Sequence, residues 1–240
     1  MSLVDLIREA IAGGLTGEDG EPVQISPIAS LSPAEIHAFA ARLPCAIPSD
    51  IRELLAFCRG FEGSVADVVD FTGDACNFGH EAIFPHGLPV AADGFGNFWV
   101  VDLLPTSTHW GPVYFACHDP PVILLQSPSL DHFLRELFRC SQPPYTSLVH
   151  EVHDDRLFRV WRTNPGVLSQ AECLRSGDEA LRSFANLLAP SFQIADLRTA
   201  DVGFGFSWGR HGPNTVVQRH GHLPIFAYQK PEGRLRRLFC

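Results

Sequence analysis

Apolar positions recur at helical spacing in the first sixty residues and in shorter, strand-like runs beyond them. In MSLVDLIREAIAGG, Leu3, Ile7, Ala10 and Ile11 share one face of a helix that Gly13-Gly14 ends. Residues 13–30 are rich in glycine, proline, serine and acid and form a linker. Ser32-Pro33-Ala34-Glu35 is a capping box with proline at the first helical position, which predicts a helix to about Arg42. Pro48-Ser49-Asp50 opens another. There Ile51, Leu54, Leu55 and Cys58 keep the helical period, and Gly60 is the expected C-cap.

The period then shortens. Residues 65–71, VADVVDF, alternate weakly and suit a strand, and 72–86 suit a loop. In Leu88–Asp102, LPVAADGFGNFWVVD, an apolar run meets the turn Asp93-Gly94 and continues as a strand rich in Phe, Trp and Val, which predicts a hairpin. PVYFAC (112–117) and PVILLQ (121–126) are two more strands joined by His118-Asp119-Pro120. Ser127-Pro128 caps a helix with the stripe Leu130, Phe133, Leu134, Leu137 and Phe138. Residues 140–147 form a second linker. Beyond it, Leu157–Arg162 alternates as a strand, and Ser169–Glu172 and Ser176–Glu179 are capping boxes. Strands are expected at Phe192–Leu197, Val202–Trp208, Thr215–Arg219 and Pro224–Gln229. In GFGFSWG (203–209) the glycines share one face, where a backbone or ring can approach closely.

The order predicts an α+β fold. A mainly antiparallel sheet flanked by helices spans 31–140. An N-terminal helix and linker precede it at 1–30, and an additional C-terminal α+β unit follows at 148–240.

Composition changes this picture in three ways. No run of eighteen apolar residues is present, so no membrane-spanning helix is expected. Asp5 and Glu9 interrupt the apolar N-terminus, which does not suit a signal peptide. Seven scattered cysteines without a CxxC pair suit core thiols in a reducing cytoplasm. The net charge of −9 is uneven: residues 1–149 hold six arginines against eighteen carboxylates, or −12, while 150–240 hold twelve cations against nine carboxylates, or +3. An acidic front half argues against nucleic acid and suits a basic protein partner.

Candidate chemistry is sparse. GFGN (94–97) leads into a strand and lacks the third glycine and helix of a dinucleotide fingerprint. His150 and His153 beside Asp154 and Asp155, and the pair His220 and His222, lack the spacing of a known zinc site. No GxSxG elbow is visible, and adjacent Cys117 and His118 point to opposite faces of a strand. No catalytic residue, metal or cofactor is expected. Asp67, Asp70 and Asp74 suit a solvated acidic edge.

Four segments in order resemble the SUKH superfamily, the Smi/Knr-like cell-wall assembly regulators and bacterial toxin-immunity proteins. They are LPCAIPSDIRELLAFCRGFEG (43–63), GLPVAADGFGNFWVVDL (87–103), WGPVYFACHD (110–119) and SPSLDHFLRELF (127–138). Arg59-Gly60-Phe61 departs from the Asn-Gly-Gly of many members. The resemblance implies a non-enzymatic α+β binding domain, and residues 148–240 lie outside it. Bacterial members neutralise toxins by direct binding, and the yeast members act as scaffolds and regulators of cell-wall synthesis. The expectation is a cytoplasmic immunity protein whose partner is a basic secreted toxin. Glu62, Asp67, Asp70, Asp74, Asp93, Trp99 and Trp110 are the candidate partner-binding residues. The alternatives are a cell-wall scaffold or regulator, and a metal-dependent hydrolase using His211, His220 or His222.

Overall fold

The computed structural model describes residues 1–63, 66–105, 107–212 and 214–230. Helix α1 (Leu3–Ile11) opens with a capping box between Ser2 and Asp5 and buries Leu3, Leu6, Ile7 and Ala10. Helix α2 (Pro33–Ala40) carries the predicted Ser32–Glu35 box. Helix α3 (Ser49–Phe57) buries Ile51, Leu54 and Leu55. It ends at Cys58 in extended backbone, so Gly60 is not its cap. Gly60 belongs to the next strand, where a Cβ would stand 1.9 Å from the carbonyl oxygen of Val69.

Strands β1 (Ser26–Ile28), β2 (Gly60–Glu62), β3 (Val68–Asp70), β4 (Gly87–Ala92), β5 (Phe98–Asp102), β6 (Val113–His118) and β7 (Pro121–Ser127) pair in chain order, all antiparallel. The predicted hairpin over 88–102 is β4–β5, and 93–97 is its turn. The strand expected at 65–71 is shorter, and Val65 lies outside the described residues. Helix α4 (Leu130–Arg139) is capped by Ser129 rather than Ser127, and its predicted stripe is buried.

The central strands bury both faces, residue by residue. Trp99, Val101, Val113, Phe115, Cys117, Val122 and Leu124 point into one core with α1–α4. Val100, Tyr114, Ala116, Ile123 and Leu125 point into a second core. That second face is covered by the C-terminal half. Strands β8 (Val167–Ser169), β9 (Phe192–Asp196), β11 (Val217–Arg219) and β12 (Ile225–Gln229) form a four-stranded antiparallel sheet in the order β11-β12-β9-β8. Phe226, Tyr228 and Ala195 face the first sheet. Ile194, Ile225 and Ala227 face α7 (Gln170–Leu174) and α8 (Glu179–Asn186) on the outside. The layers are therefore helix, sheet, sheet, helix.

Several C-terminal expectations need correction. Leu157–Thr163 is helix α6, not a strand. Leu157 and Val160 are buried at helical spacing, and six residues do not separate the two periods. It continues α5 (Leu148–His150) and a π-helical segment, Glu151–Arg156. Val149, Val152, Leu157 and Val160 pack into the first core, not into a C-terminal one. The stretch expected as a strand at 202–208 is reduced to β10 (Gly205–Phe206), which joins the first sheet beside β7. Its glycine face does admit close approach: a Cβ on Gly205 would lie 1.9 Å from the Ile123 carbonyl oxygen. Helix α8 is capped by Asp178 rather than Ser176. The unit placed at 148–240 thus contributes elements to both layers.

One ion pair locks the two sheets. Arg219 at the end of β11 donates to both carboxylate oxygens of Asp102 at the end of β5, at 2.8 and 2.6 Å, with side chains 5% and 2% exposed. The guanidinium also lies over the Phe226 ring at 5.3 Å and donates to the Leu223 and His222 carbonyls. Removing one partner leaves a buried charge uncompensated. We expect Arg219→Met to cost about 3–5 kcal/mol in urea unfolding, and the joint replacement with Asp102→Leu to recover part of that loss. A single substitution costing less than about 1 kcal/mol would show that the pair is solvated.

Candidate partner-binding site

The turns 93–97 and 118–120 and the π-helical segment meet at one end of the first sheet. The turn 93–97 is built from its own polar groups. Asp93 accepts from the backbone N–H of Phe95 (2.9 Å) and of Asn97 (3.2 Å), and from the Asn97 side-chain amide (2.6 Å). The Asn97 side-chain oxygen Oδ1 accepts from the His118 N–H at 3.1 Å, tying the turn to the β6–β7 connection. Gly94 and Gly96 have φ of 76° and 88°, which other residues adopt only with strain. With both flanking positions so fixed, Phe95 projects outward and is 80% exposed.

Asp93 also reaches the π-helical segment, where His153 Nε2 lies 3.6 Å from Oδ2. The other ring nitrogen of His153 is 2.8 Å from Asp154. Beyond this contact lies a polar cleft of about 550 Å³, lined among others by Glu18, Glu136, Glu151, Asp154, Asp155 and Arg139. Within it, Glu136 is buried and accepts from the Leu148 N–H (2.8 Å) and from Arg139 (2.7 Å), and Arg156 donates to Glu151. Glu18 and Asp155 make no side-chain hydrogen bond or ion pair among the described residues, so the cleft keeps an excess of negative charge.

The expected binding residues separate into three groups. Glu62, Asp67 and Asp93 share this end of the sheet. Glu62 lies in one row with Val68, Ala92 and Phe98 across β2–β5, and Asp67 approaches Gly94. Asp70 and Asp74 lie at the other end of β3. Asp70 is fully buried and accepts from Thr72 and from the Ala75 N–H, closing a turn. Asp74 pairs with Arg42 at 3.1 Å. Burial pushes its carboxyl up, but hydrogen bonds from Arg42 and Thr72 outweigh this and hold it below its usual value. Trp99 (1% exposed) and Trp110 (7%) are core residues, not surface anchors. Trp99 packs at a tilt against Phe115 and Phe133 and donates to the Gln126 side-chain oxygen.

The histidines considered for metal chemistry do not converge. His220 stacks on Phe184, His222 lies near His86, and His211 lies near Tyr228. Among the described residues no three His, Cys, Asp or Glu side chains form a group able to hold a metal ion. Cys117 is buried and its thiol is pushed up to about 11, mainly by burial. No described helix is long and apolar enough to cross a membrane.

Sequence reading missed Phe95, Glu136 and Glu151. Phe95 carried a signal in its position, since it lies in the hairpin turn between Gly94 and Gly96, outside the alternating strand positions. Glu136 carried none, because it sits within the amphipathic pattern of α4 and is buried by the chain returning at Leu148.

Glu136 fixes the wall of the cleft, and its ionisation should be visible in stability. Burial pushes its carboxyl up, but the Leu148 N–H and Arg139 outweigh that and hold it below the ordinary value of 4.5. A depressed folded value stabilises the fold above pH 4.5, and that contribution is lost as pH falls through the lowered value. Glu136→Gln should therefore cost about 1–3 kcal/mol at neutral pH, and the gap to wild type should close in acid. A gap that is constant across a pH series of urea midpoints would exclude this role.

Residues 30–136 match the model of the SMI1 / KNR4 family (SUKH-1). No curated protein and no solved structure gives a significant match. The matched segment covers α2 through most of α4, and hence strands β2–β7 and the hairpin that bears Phe95. Residues 30–136 thus form a segment similar to the SMI1 / KNR4 family (SUKH-1).

Proposed function

We propose that this is a non-enzymatic binding protein whose partner is a basic protein, and that it acts as an immunity protein that neutralises a toxin by direct contact. The observation that supports it most is the set of exposed carboxylates at one end of the first sheet, Glu62, Asp67, Asp119 and Asp154, with Asp155 and Glu18 in the adjoining cleft. Aligned carboxylates raise the encounter rate with a cationic surface and disfavour acidic competitors. The SUKH-1 match agrees with a binding role. Both faces of the first sheet are covered, so its ends and outer helices remain for contact.

The test is co-expression with each basic secreted toxin encoded beside the gene, scored by growth and by a one-to-one complex on gel filtration. Protection and a complex are expected. The double variant Asp154→Arg, Asp155→Arg should weaken the complex about tenfold or more at low salt, with the deficit shrinking as ionic strength rises. Absence of both protection and complex for every such toxin would overturn the proposal. Binding to a wall-synthesis protein instead would favour the regulatory reading.

A further inference from the structure

We infer that Phe95 is the apolar anchor of the partner interface, inserted into a pocket on a basic protein surface. This rests on the binding function proposed above and names the residue that carries its affinity. Phe95 is the most exposed large apolar side chain among the described residues. A single exposed apolar residue is ordinary on a protein surface. What distinguishes Phe95 is the structure around it.

The turn that presents it is rigid. Asp93 accepts three hydrogen bonds from within the turn, and Asn97 anchors the turn to β6 through the His118 N–H. Gly94 and Gly96 are held at positive φ, and a Cβ on Gly96 would lie 3.2 Å from the His118 ring. The backbone is therefore fixed before any partner arrives, and only the two side-chain torsions of Phe95 remain to be ordered. Preorganisation of this kind lowers the entropic cost of association.

The surroundings specify the partner. A Cβ on Gly94 would contact the Asp67 carboxylate at 3.4 Å, Asp119 is exposed on the neighbouring turn, and Asp93 and Asp154 lie on either side of His153. An exposed aromatic side chain with the carboxylates of Asp67 and Asp119 on neighbouring turns fits an apolar pocket rimmed by Arg and Lys. An aromatic anchor desolvated at the centre of a polar rim is the usual form of an interface hot spot. The next most exposed large apolar side chain among the described residues, Leu187 at 75%, follows α8 in the outer layer.

The experiment is calorimetric titration of the full chain with a catalytically inactive form of the basic toxin domain encoded beside the gene. The variants are Phe95→Ala, Leu187→Ala, and Asp154→Arg with Asp155→Arg. Phe95→Ala should raise Kd at least about 30-fold with an unchanged thermal midpoint and little change in salt dependence. Leu187→Ala should bind as wild type. If Phe95→Ala binds within twofold of wild type while the charge variant loses binding, the anchor is refuted and the binding function stands. If the wild type neither binds nor protects, the binding function fails and the anchor with it. A Phe95→Ala loss matched by Leu187→Ala would also refute the anchor, since it would show no preference for this site.

Discussion

Burial of both faces of β5, β6 and β7 is the constraint on which the rest of the structure depends. Strands such as Pro121–Ser127 place Val122 and Leu124 on one side and Ile123 and Leu125 on the other, with no polar face to leave in water. Helices α1–α4 cover one side. The other needs a second apolar surface, and the C-terminal sheet supplies it through Phe226 and Tyr228. The chain runs back over the helical side as Leu148–Thr163 before it enters this sheet at β8, and between β9 and β11 it adds β10 to the edge at β7. The Asp102–Arg219 pair fixes the register of the two sheets with a charge contact that tolerates little sliding.

On the proposed binding role, this closure leaves the ends of the sheet for a partner. A sheet covered on both sides offers its ends. One end is occupied by the Asp102–Arg219 lock. The other carries the turn 93–97, the acidic π-helical segment and the cleft beside it. In the proposed interface the two parts of this end would do different physical work. The carboxylates act at a distance and are screened by salt. Phe95 acts only on contact, through desolvation. A binder that combines them gains both a fast encounter and a slow release.

The fold was legible wherever one local signal governed. Capping boxes at Ser32 and Ser169, the Asp93-Gly94 turn and the α4 stripe survive intact because tertiary contacts reinforce them. Leu157–Thr163 was not legible, since its short run fits both periods and only packing against β7 decides it. The sharing of residues 148–163 between layers was also hidden, because the polar loop before them resembles a linker in sequence. Among the candidate site residues, the exposure of Glu62 and Asp67 agrees with their charge, whereas the Asp93 side chain is only 8% exposed and is held by the donors of its own turn. Asp70 was not separable from them, since its burial depends on the Thr72 and Ala75 donors. Trp99 illustrates the opposite error: aromatic type suggested an interface, while strand alternation placed it in the helical core.

The central claim is that the partner docks on the carboxylate end of the first sheet. Hydrogen–deuterium exchange of the chain, free and saturated with the basic toxin domain, tests it most directly. New protection is predicted in peptides covering 93–97, 118–120 and 147–156, with none in β8, β11 or α8. Protection confined to the second sheet or to α7 and α8, with the turn 93–97 exchanging as in the free protein, would contradict the account.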